Sequence, residues 1–560
     1  MGACRRRVAG ATALLAAVVA ASGCTGARRP AAPTPTGPDP LASATHTAPP
    51  APPGAVLTQR GDETRLGWYA QETRLTVASV GGGHFGRRAQ YPVDGRIFAQ
   101  PLYVPALTVG GTPHKAVIVA TEHDSVYAFD ADATGAGAPP LWHTSLLAPG
   151  ARPMLAAQDK VANNQLCDTI TPEVGITGTP VIDWRTGTLY AVALDVENGK
   201  LTYRIHALDT GTGKVRRSTL VTATVNGKGL DAADGRVSLA PSRTQQRMGL
   251  TLVDGVVYAG FASFCGWGIY HGWILGYRAG DLSQAVVYNS SPDAYSAGFW
   301  ESQAGLTVDD HGHLVAVSGN GPFDLDRGGR DAGDSVLTLS PQDGTLRVVD
   351  SFTPFDQECR NRHDQDLGSG SPLPVPGHDE YVLSSKTGSV YVLDAHRLGG
   401  YTPLDDPCNH KERADVDRIK QELTVDSVKG GMWGTWGYWR SGSAEFVYSG
   451  GAQDRLTQWR LAPDGRLVPQ PVAQAPLAFE YPGAIPVVSS NGSAAGTGVV
   501  WTVDQTGGAT TLRAFDAADI SHQLWSSVTD ELNRFQVPTV ADGKVFVGGQ
   551  RHLDVYGLSP

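Results

Sequence analysis

Residues 381–395 read YVLSSKTGSVYVLDA. Two apolar runs of four or five residues flank Ser-Lys-Thr-Gly. Each run is too short for a helix, rich in Val, Leu and Tyr, and bounded by turn residues, so the stretch reads as a β-hairpin. The same design appears as VIVATEHDSVYAFDA at 117–131. Further copies lie at 189–213, 256–280, 314–344, 446–465, 499–517 and 545–558. Between copies come short strand signals such as TGTPVID (177–183), QAGLTVDD (303–310) and QVPTVADG (536–543).

A hairpin plus an inner strand, repeated at roughly 50 to 80 residues, is the rhythm of propeller blades. One blade cannot bury both of its faces, whereas a closed ring can. The expected fold is therefore all-β, a β-propeller of four-stranded blades, with eight blades the primary count and seven the alternative. A pair of β-sandwiches is the competing architecture, but it does not explain a repeat that runs through the whole domain.

Composition agrees. Of 560 residues, 68 are Gly and 37 Pro, which suits many turns, and the net charge of −10 argues against a nucleic-acid partner. The chain begins with Arg5, Arg6 and Arg7, then an apolar run from Val8 to Ala21, then Ser22-Gly23-Cys24. This is the layout of an export signal, and its end resembles a bacterial lipoprotein box. Residues 1–23 are read as a lipoprotein signal peptide and Cys24 as the lipidated residue. That places the protein outside the cytoplasm, anchored to the cell membrane. Residues 24–56 are rich in Pro, Ala and Thr without apolar periodicity and are read as a disordered linker. The propeller is assigned to 57–560.

Cys167, Cys265, Cys359 and Cys408 remain after Cys4 and Cys24 are set aside. An even number in an exported chain points to disulfides. Of three possible pairings, Cys167–Cys265 and Cys359–Cys408 are preferred because each joins neighbouring repeats.

Two inserts interrupt the rhythm. Residues 148–176 are expected to form a loop on one face. Residues 400–431 contain ADVDRIKQEL (414–423), which reads as a short helix. Trp433, Trp436, Tyr438 and Trp439 follow, an aromatic group read as blade-to-blade packing, or alternatively as a stacking wall for a flat ligand.

The segments VYAFDA, VYVLDA and LRAFDA resemble the repeat of the pyrroloquinoline quinone (PQQ) propeller superfamily, over about residues 90–558. That superfamily holds quinoprotein alcohol dehydrogenases and also non-catalytic lipoproteins, so fold alone does not decide function. Four stretches follow the dehydrogenase order. LVAVSGN places Asn320 where the family has a Ca²⁺-binding Asn. AGDSVLTLS follows as a Gly-Asp pair and a strand. TPFDQ and HDQDLGSG place Asp364 at the catalytic position and Asp366 as a second carboxylate. KTGSVYVLD places Lys386 where a cation contacts the quinone.

The resemblance implies PQQ and Ca²⁺ as cofactors, with Asn320, Asp364 and Asp366 as metal ligands. It implies Lys386, Asn320 and Trp300 as cofactor contacts. Ca²⁺ would act as a Lewis acid on a quinone carbonyl, and Asp364 would take an alcohol proton.

The chain also departs from the family. Gly266 and Trp267 stand where a Ca²⁺-binding Glu is expected, and Glu173 has a similar context one blade earlier. Gln303 is nearest in register to the Trp beneath the quinone, with Trp300 three residues away. No vicinal Cys pair and no CxxCH occurs.

Read without the family, Asn320 between two glycines serves as a turn cap, Asp364 and Asp366 as solvated or Asx-turn carboxylates, and Lys386 as a solvent-facing turn residue. His123 and His271 are read as packing or backbone-bonded. Asp324, Asp326, Asp331 and Asp334 crowd together without EF-hand spacing. Two functions follow: an oxidoreductase acting on an alcohol or other small molecule, or a monomeric scaffold that binds an envelope protein or other envelope ligand.

Overall fold

The computed structural model describes residues 51–410, 413–531 and 533–559. The signal segment, Cys24 and most of the linker lie outside the described residues. Eight antiparallel sheets are arranged in a ring. Their strands span 102–145, 181–220, 245–289, 307–353, 373–423, 437–479 and 487–531 for blades 1 to 7. Blade 8 combines 539–558 with the early strand Phe85–Pro92, which pairs with His552–Leu558 as the fourth strand, and Gly135–Ala136 lies parallel beyond it. The ring is thus closed by hydrogen bonds between its two ends, and no innermost or outermost strand of a terminal blade is left without its sheet. Among the described residues no helix is long and apolar enough to cross a membrane.

Each blade is driven by alternation. In the blade 5 hairpin Tyr381, Val382 and Leu383 pair with Leu393, Val392 and Tyr391 in order, and all six are buried. One face packs into the cluster shared with blade 4 and the other into the cluster shared with blade 6. Trp436, Tyr438 and Trp439 are buried between blades, as packing requires. Trp433 is only partly buried and meets Tyr481 edge-on at 5.3 Å.

The short helix expected at 414–423 is not found. Residues 413–420 are irregular, and Gln421–Leu423 is the outer strand of blade 5, paired with Val390–Val392. Tertiary pairing overrides the local helical preference here. Within 148–176, the strands Arg152–Leu155 and Glu173–Val174 pair with each other, and the former pairs with blade 2.

The segment 56–72, read as the linker's end and the start of the domain, fills one end of the central channel. Val56 exchanges both backbone hydrogen bonds with Tyr103 of blade 1, and Leu57 O accepts from Ile182 N of blade 2. Glu63 O accepts from Val308 N of blade 4, and Trp68–Tyr69 lies parallel to Val488–Ser489 of blade 7.

Arg60 and Arg65 are 1% and 0% exposed. Arg60 donates to Trp436 O (2.6 Å) and Pro486 O (3.0 Å) in blades 6 and 7, and to Arg65 O and Leu66 O. Arg65 donates to Leu250 O (3.0 Å), Thr251 Oγ1 (2.7 Å) and Leu306 O in blades 3 and 4, and to Thr58 Oγ1 and Gln59 O. These carbonyls sit where inner strands begin and face the axis. A guanidinium, with five donors in a fixed fork, satisfies several of them at once.

Candidate functional site

In a four-stranded up-and-down blade, the turn between the second and third strands lies on the same face as the passage to the next blade. This is called the upper face here. Asn320 lies in the second turn of blade 4, Asp364 and Asp366 in the passage to blade 5, and Lys386 in the second turn of blade 5. Trp300 lies in the passage from blade 3 to blade 4. All five positions therefore belong to one face of adjacent blades.

Four of them meet. Asn320 N donates to Asp366 Oδ1 at 2.7 Å and Asn320 Nδ2 to Asp364 Oδ1 at 3.0 Å. Lys386 Nζ contacts Asp364 Oδ1 at 3.0 Å and Asp366 Oδ2 at 2.5 Å. Asp366 is 9% exposed and Lys386 20%, whereas Asp364 is 83% exposed. The set thus has a buried end and an open end. Burial pulls the Lys386 ammonium's pKa down, but Asp366 and then Asp364 more than offset this and raise it.

Trp300 borders the set. A Cβ on Gly319 would lie 2.3 Å from Asp366 Oδ1 and 3.1 Å from Trp300 Cδ1, so only glycine lets the carboxylate and ring approach this backbone. Asn320 Oδ1 is buried without a partner among the described residues.

Supporting residues that the sequence reading did not single out fix the geometry. The helix Gln357–His363 ends at Asp364, which takes the left-handed conformation with φ 56°. Cys359 on this helix is bonded to Cys408, and Cys167 to Cys265, which are the pairings preferred from the repeat order. Arg360, 1% exposed, reaches from the helix to Ser385 Oγ (3.0 Å), Thr387 Oγ1 (3.2 Å) and Tyr391 OH (2.6 Å). It thereby grips both neighbours of Lys386. Asp356 pairs with its Nε. Asp334 Oδ1 accepts from Leu367 N at 2.9 Å, which sets the 3-10 turn Leu367–Ser369 after Asp366. Burial, then the nearby Asp366, push the Asp334 carboxyl well above the usual range. Asp334 was visible in the sequence only as one of four crowded carboxylates. The others serve their own turn: Asp324 Oδ1 accepts from Asp331 N and Asp331 Oδ1 from Asp293 N.

Other sequence candidates fall elsewhere. Glu173 pairs with His123 Nδ1 at 2.9 Å rather than with the Asn320 set. His271 is buried between Ser291 O and Asp231 Oδ1. Trp267 packs against the core of blades 2 and 3. Gln303 is buried, and its carbonyl accepts from Gly249 N.

An arginine–aromatic collar crosses the middle of the face. Arg247 lies over Trp300 (5.9 Å) and Phe535 (4.9 Å), and Arg534 over Tyr481 (5.6 Å). Beside it, Glu122 Oε2 accepts from Gly175 N and Thr177 Oγ1. Burial lifts its pKa from 4.5 to about 7, against the pull of those donors, Arg96 and Arg247.

Between these two values the unfolded chain releases a proton that the folded chain keeps, so this group's contribution to stability falls as pH rises through the window. Glu122→Gln should remove that slope and raise stability at pH 8 by about 3 kcal/mol. Denaturant unfolding of both proteins at pH 4.5 and pH 8 measures it. An unchanged pH slope would refute the assignment.

The residues bear unequally on the two cofactors. A divalent cation prefers six or more oxygens with several carboxylates. Here the Lys386 ammonium already lies between the only two carboxylates of the set, and one of these is exposed. As arranged, Asn320, Asp364 and Asp366 do not fit Ca²⁺. A flat, electron-poor or anionic molecule fits better, since Lys386 supplies a cation and Trp300 a ring face.

No family model matches the sequence, and no curated protein matches it. Solved structures are similar in fold. The quinohemoprotein alcohol dehydrogenase ADHIIG from Pseudomonas putida HK5 superposes with a TM-score of 0.56 at 15% identity, over 90% of this chain and 80% of that one. The quinohemoprotein alcohol dehydrogenase from Comamonas testosteroni gives 0.54 at 14% identity, over 90% and 80%. A europium-containing methanol dehydrogenase gives 0.54 at 13% identity, over 90% and 98%. At this identity the likeness shows the β-propeller fold alone, as expected from the repeats.

Proposed function

We propose that the upper face binds a flat carbonyl-bearing small molecule of the PQQ type, and that the protein is an oxidoreductase acting on an alcohol or related small molecule. The convergence of Asn320, Asp364, Asp366 and Lys386 from two adjacent blades carries this reading. The quinohemoprotein fold likeness supports it. PQQ, when bound, supplies two-electron acceptor chemistry. Lys386, held by Asp366 and Asp364, offers its ammonium to a carbonyl oxygen and stabilises negative charge there. Trp300 offers a stacking face. Asp364, at the open end, accepts a hydrogen bond from a substrate hydroxyl and takes its proton. The second reading, a non-catalytic scaffold, is favoured by Gly266 and Trp267 at the place of the family's Glu.

Titration of the purified protein with PQQ, followed by absorbance and thermal unfolding, separates the two. Binding should raise Tm by mass action. Asp364→Asn should keep binding and lower alcohol-dependent dye reduction by at least about a hundredfold. No Tm shift at saturating PQQ would remove the quinoprotein reading and leave the scaffold. We further propose export and a lipid anchor at Cys24, supported by two disulfides in the propeller. Fatty-acid labelling that persists in Cys24→Ser would refute the anchor.

A further inference from the structure

A cleft of about 540 Å³ opens over blades 7, 8, 1 and 2, and its walls include none of the residues assigned above to the quinone-type site. Arg96 and Phe98 reach it from the passage between blades 8 and 1, and Arg534 from the passage between blades 7 and 8. Its volume is that of a small-molecule site.

The two arginines are the unusual feature. Among the described residues, the Nε donors of both Arg96 and Arg534 are buried and find no acceptor. Arg96 lies over the Phe98 ring at 5.7 Å and Arg534 over Tyr481 at 5.6 Å. Ring stacking holds a guanidinium flat but satisfies none of its in-plane donors. A buried donor without an acceptor is costly, and folded proteins rarely leave one unless something else completes it.

Arg247 repeats the pattern nearby: it is 9% exposed, its Nε also lacks an acceptor among the described residues, and it lies over Phe535, the residue that follows Arg534. Three under-satisfied guanidiniums on one face are unexpected in a chain of net charge −10. Glu531, with Glu122 and Asp530, favours the charged form of Arg96 through space, but burial outweighs them. Glu531 Oε2 accepts from Gln550 Nε2 at 3.2 Å, and Asp168 is exposed at the rim. Asp168 follows Cys167, whose disulfide to Cys265 ties this wall to blade 3, so the cleft is pre-formed.

We propose that this cleft is a second binding site, which takes a small molecule bearing a carboxylate or phosphate group between Arg96 and Arg534. Each group presents a pair of oxygens at a spacing that matches a guanidinium fork. The site is independent of the quinone reading, since it uses none of those residues.

Calorimetric titration of the full protein with inorganic phosphate and with citrate, at constant ionic strength set with chloride, tests it. Saturable binding below about 10 mM is expected, with Arg534→Gln and Arg96→Gln each weakening it at least about tenfold. Arg534→Lys should weaken it less, because charge is kept while the fork is lost, and this variant guards against a folding defect. Lys214→Gln, an exposed cation at the turn before the outer strand of blade 2, should leave it unchanged. Tighter citrate identifies a carboxylate ligand and tighter phosphate a phosphorylated one. No saturable heat with either anion, or binding indifferent to both arginine variants, would overturn the proposal.

Discussion

Arg65→Leu is expected to lower the unfolding free energy by about 5 kcal/mol. The side chain is fully buried and makes five hydrogen bonds, three of them to the carbonyls of Gln59, Leu250 and Leu306. Leucine fills much of the volume but offers no donor, so five buried acceptors each lose a hydrogen bond; Leu250 O and Leu306 O keep only the hydroxyls of Thr58 and Thr251. Each orphaned buried group costs about 1–3 kcal/mol. Over roughly 500 residues, with an unfolding entropy of about 2.1 cal/mol/K per residue, this corresponds to a Tm fall of about 5 °C.

Arg65→Lys should lie between the two, because an ammonium has three donors for five acceptors. Calorimetry of the three proteins measures the series. A Tm within about 1 °C of the parent for Arg65→Leu would show that water replaces the guanidinium and that segment 56–72 does not tie the ring. Limited proteolysis gives an independent view, since a loosened segment should be cut near Asp62 and Thr64, which are already partly exposed.

The same segment shows where the sequence is legible and where it is not. The blades could be read because each carries its own period-two pattern and turn. Segment 56–72 could not, because its organising residues are two arginines, which locally read as solvated. Their burial depends on carbonyls presented by blades 3, 4, 6 and 7, hundreds of residues away.

Phe85–Pro92 was missed for a related reason. Its strand partner, His552–Leu558, is at the other end of the chain. The helix read at 414–423 failed because Asp417 accepts from Phe355 N and residues 421–423 join a sheet, and neither contact is local. At the candidate site the order of Asn320, Asp364, Asp366 and Lys386 was readable from motifs. The partition of charge was not. Nothing in KTGSVYVLD states that the ammonium will lie between the two carboxylates, nor that Arg360 will hold its neighbours.

That partition sets the last expectation. Lys386→Gln should weaken PQQ binding by about a thousandfold, close to 4 kcal/mol. Glutamine removes the cation facing the carbonyl oxygen and leaves Asp366 buried with only the Asn320 N–H, so an anionic ligand meets two net negative charges from the set instead of one. The same change should create a preference that the parent lacks. With the ammonium gone, Asp366, Asp364 and the unpartnered Asn320 Oδ1 become oxygen donors without a resident cation. Ca²⁺ should then raise the Tm of Lys386→Gln while leaving that of the parent unchanged. Thermal unfolding of both proteins with and without Ca²⁺, alongside PQQ titration, reads the two effects separately. If Ca²⁺ stabilises the parent as much as the variant, and Asp366→Asn abolishes that stabilisation, then the metal and not Lys386 is the site's working cation. Asn320, Asp364 and Asp366 would in that case be its ligands, with Lys386 displaced toward the bound molecule.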